Sequence, residues 1–539
     1  MYLWSMKKLP LGRQDFSEII NEDLLYVDKT DRVYNLIEQG KLYFLSRPRR
    51  FGKSLLISTF RHLFEGKKEL FKDLYLGKST DYKFEKYPVL QFNFAKLGHK
   101  VEDLEEKLNR LVLEYAVDFD IPITPTSLSE NFTTLVEGIS KKGKPVVLLI
   151  DEYDKPIIDF IVEIDKAKIN RNVLRDFFSP LKDLDSQGHL HFLFITGVSK
   201  FSRVSLFSDL NNLFDLSKAP LANDLLGITQ DELEDNFKEH IDFGIEHFKI
   251  SKDDFLQAVK DWYNGYSTDG KVTLYNPHSL LLFFTNYEFD NYWFATGTPT
   301  FLVETIRKQY VNPKELEEIE VDNYFFDSFS LEHLDVVGLL YQTGYLTLKK
   351  VIRGIYRTRY FLGYPNLEVR HSMMHNLVQA FSYKTKSVVS SAMVRMQRGM
   401  EEGNIEIFIQ QLKVILSDIS YHLHPKKSKK ETEAEALFKM WEGYFQTIIY
   451  LVTSYMDMTV QSEVTKHKGR LDLIAQTEDF IYLMEFKLDG TSADAIEQIK
   501  NREYAAAYEN STKKVFLVGV NFSKEERNVE SWECEVWER

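Results

Sequence analysis

Three groups of residues have types and spacings that could do chemistry. The first is Leu42 to Ser54, LYFLSRPRRFGKS. Leu42-Tyr43-Phe44-Leu45 predicts a buried strand. The chain breaks at Ser46-Arg47-Pro48, and Phe51-Gly52-Lys53-Ser54 opens an amphipathic helix, LLISTFRHLF. Strand, tight loop, Gly-Lys-Ser and helix is the layout that cradles nucleotide phosphates. Gly52 lets the backbone come close, and the helix N-terminus offers unpaired N–H groups. Lys53 is expected on the β- and γ-phosphates and Ser54 on Mg2+. The expected nucleotide-binding set in this loop is Arg49, Arg50, Phe51, Gly52, Lys53, Ser54 and Leu55. Arg47 stands where the G-x-x-x-x-G-K-S/T pattern has its first glycine.

The second group closes an apolar run, PVVLLIDEYD, from Pro145 to Asp154. Such a run predicts a central parallel strand, and acids at its carboxyl end lie at the ligand-binding edge of an open α/β sheet. Asp151 would hold Mg2+ through water, and Glu152 would polarise the water that attacks the γ-phosphate. A further strand, HFLFIT (191–196), ends near two polar candidates, Thr196 and Ser199, for sensing that phosphate or its water.

The third group lies near the C-terminus. Strands LDLIA (471–475) and FIYLMEFKL (480–488) flank a turn, QTED. Leu483, Glu485 and Lys487 share one face of the second strand. With Gln476 to Asp479 as the hairpin loop, Asp472 opposes Leu483 and lies diagonal to Glu485. Diagonal neighbours are about 7–8 Å apart, close enough for two carboxylates to grip one cation. Asp472 and Glu485 would bind Mg2+, and Lys487 would orient the metal-activated water or neutralise charge developing on a phosphodiester. Gln498 and Tyr504 follow on a helical pattern that approaches the same place.

The elements needed to position these groups are legible. Strands and helices alternate up to about residue 220, which predicts a doubly wound α/β nucleotide-binding domain over 1–225. Residues 1–40 form an expected adenine cover, with Asp15 capping FSEIIN and Asp28 or Thr30 capping DRVYNLIEQ. Residues 226–380 predict a helix-rich lid with a winged arrangement of helix and strands. Its Trp262, Tyr263, Tyr266, Tyr292 and Trp293 suit core packing better than a base-stacking surface. Helices over 381–430 act as a linker, charged at PKKSKKETEAEA (425–436), before an α/β domain over 431–539.

Composition is that of a globular chain: 44% hydrophobic, 28% charged, with a single cysteine, Cys534, so no intrachain disulfide forms. A net charge of −13 argues against a wholly basic nucleic-acid coat but leaves room for a local basic groove. No apolar run approaches the ~18 residues of a membrane span, and the N-terminus lacks a signal-peptide core. A cytoplasmic protein without a membrane partner is expected.

These strings together resemble the bacterial AAA-ATPase-like family with a C-terminal PD-(D/E)XK nuclease domain. The resemblance runs through LPLGRQDFSEII, YVDKT, SRPRRFGKSLL, VVLLIDEYDKP, ITGVSKFSRVSLFSDLNNL, WYNGY, YNPHS, YWFATGTP, LLYQTGYLT, GRLDL and FIYLMEFKLDG. It implies a P-loop NTPase sheet, a restriction-endonuclease-like C-terminal domain, and Arg47 as a family trait. It also implies ATP at Lys53 and Ser54, Asp151 and Glu152 as the Walker B pair, and a nuclease core of Asp472, Glu485 and Lys487. Glu442 is the implied helix-borne acid at that metal. Leu471 replaces the proline of the nuclease motif. The expected function is an ATP-gated, Mg2+-dependent DNA nuclease, in a setting such as mobile-element conflict or phage defence. The rivals are an ATP-driven switch or scaffold that binds nucleic acid without cutting, and an RNA-cleaving enzyme. Homo-oligomerisation stays open.

Overall fold

The computed structural model describes residues 6–97, 104–161, 163–200, 206–207, 210–293, 300–309, 311–326, 335–417, 433–456, 459–466 and 469–538. It divides into two compact units. One is Met1–Thr298 with Glu318–Val369; the other is Pro299–Glu317 with Arg370–Arg539. The chain therefore passes between the units three times.

In the first unit, α1 (Phe16–Asn21) is capped by Asp15, whose carboxylate accepts from the Ser17 N–H at 2.9 Å. Asp28 accepts from the Thr30 N–H at 2.8 Å at the start of α2 (Thr30–Gln39), which Gly40 closes. Strands β1 (Leu42–Ser46), β2 (Val89–Asn93), β3 (Val146–Asp151), β4 (Leu190–Gly197) and β5 (Phe214–Asp215) follow the order β2-β3-β4-β1-β5. Every neighbouring pair is parallel. Helices on both faces explain why β3 is apolar throughout and buried at every position. On one face α3 (Lys53–Phe64) sets Phe60 5.0 Å from Phe192 and 4.9 Å from Phe194. On the other, α4 (Leu104–Asp118), α5 (Leu128–Lys142) and α6 (Ile164–Phe178) surround Phe92, whose ring lies 5.1 Å from Phe177.

The rest of this unit packs α7 (Gln230–Asn236), α8 (Lys238–Phe248), α9 (Lys252–Tyr263) and α10 (Pro277–Asn286) around Phe237, Phe255, Tyr263 and Phe283. Tyr263, Tyr266, Tyr292 and Trp293 are all buried, so these aromatics serve packing. Helix α11 (Val336–Thr343) then meets an antiparallel sheet of β6 (Ile319–Val321), β7 (Thr347–Arg353) and β8 (Thr358–Gly363), in the order β6-β8-β7. Val337 and Tyr341 of α11 pack on Leu348, Val351, Tyr360 and Leu362.

The second unit contains α12 (Lys386–Glu401), α13 (Ile405–Leu416) and α14 (Glu433–Tyr455). Its sheet, β13-β12-β11-β10-β9, comprises β9 (Thr459–Lys466), β10 (Gly469–Gln476), β11 (Phe480–Leu488), β12 (Lys514–Ser523) and β13 (Asn528–Val536). Only β11 and β12 pair in parallel, and α15 (Ser492–Asn501) makes the crossover they require. The expected linker over 381–430 instead contributes α12 and α13 to this body. The Tyr482 hydroxyl donates to the Met400 carbonyl at 2.6 Å, and Asn528 donates to the Lys413 carbonyl at 3.1 Å. The apolar stripes of α12 and α13 need a surface to cover, and the sheet supplies it. The basic run of the charged stretch 425–436 lies outside the described residues. No described helix is long and apolar enough to cross a membrane.

Candidate functional site

The phosphate loop joins β1 to α3. Gly52, at φ +91°, caps α3 in the left-handed region that a side chain resists. Lys53 is buried, and its ammonium donates to the carbonyls of Arg47 at 3.0 Å and Pro48 at 2.8 Å. Burial pushes the pKa of Lys53 down, opposed by the charges of Glu152 and Asp151. The Ser54 hydroxyl donates to Asp151 at 2.7 Å across the sheet edge.

Arg47 explains the missing first glycine. Its side chain is buried and turns away into the fold, donating to the carbonyls of Ser46 at 3.0 Å, Ser217 at 2.9 Å and Ala222 at 2.8 Å. Burial lowers its pKa to about 10. Here a guanidinium fixes the loop from below.

Asp151 is fully buried; burial raises its pKa, and Oδ1 has no partner among the described residues. An orphaned carboxylate oxygen beside a serine hydroxyl fits a hard divalent cation, so the residues present suit Mg2+. Glu152 follows at φ +53°, a left-handed backbone costing about 1–3 kcal/mol in a residue with a side chain. The kink sends Tyr153 into the core, while Glu152 lines a cleft of about 430 Å³. Arg49, Arg50, Gly52, Lys53, Ser54 and Leu55 line the same cleft. Thr196, on β4 between β1 and β3, is buried with an unpartnered hydroxyl among the described residues. Phe51 is buried and meets Tyr266 edge-on at 4.8 Å. It also borders an adjoining apolar cavity of about 120 Å³, lined by Tyr26, Val27, Leu55, Leu226 and Leu281.

Two residues of this cleft escape motif reading. Asp154 is buried and accepts from the Val198 N–H at 3.0 Å and from the Ser199 hydroxyl at 2.8 Å, tying the ends of β3 and β4 together. Ser199 is thus engaged by Asp154. His278, from the start of α10, lies 3.4 Å from Arg50; burial, then the Arg50 charge, lowers its pKa to about 4. The last acid of DEYD was the available signal for Asp154. No motif spacing marks His278, which stands in the first turn of α10, capped by Asn276.

In the second unit the hairpin closes one residue later than the turn QTED suggests. Thr477 and Phe480 bracket the loop, Thr477 Oγ1 accepting from the Phe480 N–H at 3.1 Å. Gln476 therefore pairs with Ile481, and Leu473 with Met484. Moving the loop by one residue shifts each cross-strand partner by two. The faces survive, and the register carries Asp472 directly opposite Glu485 instead of diagonal to it. Asp472 Oδ2 accepts from the Phe486 N–H at 2.9 Å. Glu485 is 3% exposed; burial, then the charge of Asp472, pushes its pKa up to about 7, against the pull of Lys487. Its Oε1 accepts from the Gln498 amide, and its Oε2 is buried with no partner among the described residues. Lys487 donates to the carbonyl oxygen of Gln498 and lies 3.7 Å from Glu485. Tyr504 is buried, and its hydroxyl feels the charges of both acids. Paired hard oxygens with one orphaned again fit a divalent cation.

Glu442 does not join them. It is exposed on α14, beside the face of Gly443, Gln446, Thr447 and Tyr450 that lines a cavity of about 90 Å³ with Asp472. Among the described residues, no three of His, Cys, Asp and Glu converge as a metal cluster.

Residues 10–207 match the AAA-ATPase-like family, described as a predicted AAA-ATPase, and residues 440–532 match the PD-(D/E)XK nuclease superfamily. The chain is similar to an uncharacterized protein in the vnfD 5' region of Azotobacter chroococcum mcd 1. The two are 34% identical over 532 residues, 97% of this chain and 98% of that protein. The solved structure of the Aeropyrum pernix ORC1 protein in complex with DNA covers 64% of this chain and 91% of its own. Its 10% identity and TM-score of 0.23 are too low to establish a common fold.

Proposed function

The chain belongs to the AAA-ATPase-like family with a C-terminal PD-(D/E)XK nuclease-superfamily domain, and we propose that it is an ATP-gated, Mg2+-dependent nuclease acting on DNA. The observation that carries the reading is the register that sets Asp472 opposite Glu485 with a buried carboxylate oxygen left over. Bound Mg2+ would supply charge neutralisation at the phosphates in the first unit and an acidified water in the second.

In the first unit Lys53 exchanges its two loop carbonyls for phosphate oxygens, Ser54 and Asp151 hold the cation, and Glu152 orients water in the cleft. The apolar cavity beside Phe51 and Leu55 receives the base, and Thr196 reads the phosphate end. In the second unit Asp472 and Glu485 are the cation's ligands. Lys487, steered by Gln498, faces the charge that develops on the phosphodiester. Gating is supported by the threaded chain, since 299–317 belongs to the second unit and 318–369 returns to the first.

The test is purified protein with Mg2+ on a panel of single- and double-stranded DNA and RNA, with no nucleotide, ADP, ATP or a non-hydrolysable analogue. Expected is DNA cleavage that depends on nucleotide state and is lost in Asp472→Asn. Equal cleavage by that variant removes the nuclease assignment, RNA-only cleavage changes the substrate, and four equal rates remove the gating.

A further inference from the structure

We propose that the β7–β8 hairpin of the first unit is a contact for duplex DNA, its arginines on backbone phosphates and its tip in a groove. From Thr347 to Gly363 the sequence carries Lys349, Lys350, Arg353, Arg357 and Arg359 and no acidic residue, on a chain of net charge −13. A long-range field set by the whole chain repels a polyanion, so a concentrated basic element is where attraction can occur.

The hairpin's geometry separates a packed face from a presented one. Leu348 and Leu362 are buried, and Val351 and Tyr360 half-buried, in the cluster that holds Val337 and Tyr341 of α11. Arg359 and Phe361 alternate with Tyr360 and Leu362 and point the other way. The Lys350 ammonium stands 5.7 Å over the Phe361 ring. Arg353 pairs with Thr358 at the end of the ladder, and the Gly354 N–H donates to the Arg357 carbonyl at 2.9 Å to close the tip.

At that tip Ile355 and Tyr356 are each 95% exposed, while every other large apolar side chain of the hairpin is covered or half-covered. Arg353 and Arg357 beside them are exposed and have no ion pair among the described residues. Arg359 shares Glu320 at 3.6 Å in an exposed pair, which is worth little and is readily exchanged for phosphate.

A two-stranded ribbon fits a DNA groove, and apolar side chains flanked by arginine are the usual wedge between base steps. Two apolar side chains are too few to hold a membrane surface alone. The choice of DNA among polyanions rests on the proposed function; the basic, exposed tip does not.

The experiment measures binding of a labelled duplex to the full chain by fluorescence anisotropy, in EDTA so that no cleavage occurs, across a series of salt concentrations. Removing two phosphate contacts in Arg353→Ala/Arg357→Ala should lower the slope of log K against log salt by about 2. Near 0.15 M salt that corresponds to roughly 30-fold weaker binding. Tyr356→Ala should weaken binding with the slope unchanged, because a groove contact releases no counterion. Retained nucleotide binding in both variants confirms that the unit is folded.

Unaltered affinity and slope in both variants would overturn the proposal. So would loss of binding to phosphatidylserine-containing vesicles with duplex binding intact. Because cleavage is not read, an inactive nuclease leaves this result standing, and a failed hairpin leaves the cleavage assay standing.

Discussion

Replacing Glu485 by glutamine should strengthen the fold while destroying the metal site. Glu485 has a pKa of about 7 in the folded chain against an ordinary 4.5, mainly because it is buried. A raised folded value means that the folded unit holds this proton more tightly than the unfolded chain. Stability from this group is fully present below about pH 4.5 and is lost as pH rises through about 7. Holding that proton up to about pH 7 instead of about 4.5 corresponds to a loss of at most about 3 kcal/mol by pH 8. Solvent screening takes part of that figure, which is therefore an upper bound. Glu485→Gln keeps an acceptor for the Gln498 amide and carries no charge. In EDTA it should melt up to about 6–12 °C above wild type at pH 8, at roughly 2–4 °C per kcal/mol, and match wild type near pH 4.5. Thermal unfolding with and without Mg2+ is the assay. Wild type should gain stability from Mg2+ at pH 8 and the variant should not. A variant less stable than wild type at pH 8 without metal would refute the reasoning, because Glu485 would then be a satisfied structural partner of Lys487 and Gln498.

Glu368 offers the same sign in the first unit. It is buried, accepts from the Trp293 N–H at 2.7 Å and the Ser279 hydroxyl at 2.9 Å, and burial pushes its pKa up to about 8. Glu368→Gln should flatten the fall in stability between about pH 5 and 8, read as melting temperature against pH. Gly519→Ala places a Cβ 2.3 Å from the Ser492 carbonyl oxygen, so α15 must shift and carry Gln498 with it. A loss of about 1–3 kcal/mol in chemical unfolding is expected, with cleavage falling further than stability explains. Lys53→Ala should lose nucleotide binding, whereas Glu152→Gln should bind ATP and hydrolyse it at least about a hundredfold more slowly. Equilibrium binding and phosphate release separate the two, and wild-type turnover in Glu152→Gln would remove that residue from its role.

What was legible in the sequence was what local periodicity and local chemistry determine. The apolar run into Asp151 points to a strand covered on both faces, and Gly52-Lys53-Ser54 after a strand and tight turn points to a helix start. The alternation in FIYLMEFKL put Glu485 and Lys487 on one face whatever the turn did. The turn itself was not legible. Gln476 and Thr477 can each open a four-residue loop, and the Thr477 hydroxyl bond to the Phe480 N–H decides between them. Residues that reach the phosphate cleft through tertiary packing, such as His278 from α10, leave no mark at the spacing of a motif. Arg47 shows the opposite limit: its type was visible, but its carbonyl partners at Ser217 and Ala222 depend on the fold. A stretch between two domains looks the same in sequence whether its apolar stripe meets a sheet or solvent, so 381–430 reads as a linker although α12 and α13 lie within the second unit.

The two sites share a construction that the motifs alone do not express. Each sets a buried acid with one oxygen unpartnered among the described residues, Asp151 Oδ1 or Glu485 Oε2, near a lysine that donates to neutral acceptors, Lys487 also standing 3.7 Å from Glu485 Oε1. Lys53 is held by two backbone carbonyls, and Lys487 by the amide oxygen of Gln498, whose nitrogen holds Glu485. A direct, fully bonded ion pair would satisfy both charges and leave nothing for a ligand, since breaking it strands a buried charge at a cost of about 3–5 kcal/mol. Interposed neutral groups divide the work. On the proposed function, the acid retains an oxygen for a cation, and the lysine an ammonium that can move to an anion by giving up ordinary hydrogen bonds to neutral oxygens, two for Lys53. The cost shows as a carboxyl with a raised pKa in each unit. On the proposed function, a cation would offset that cost at both sites.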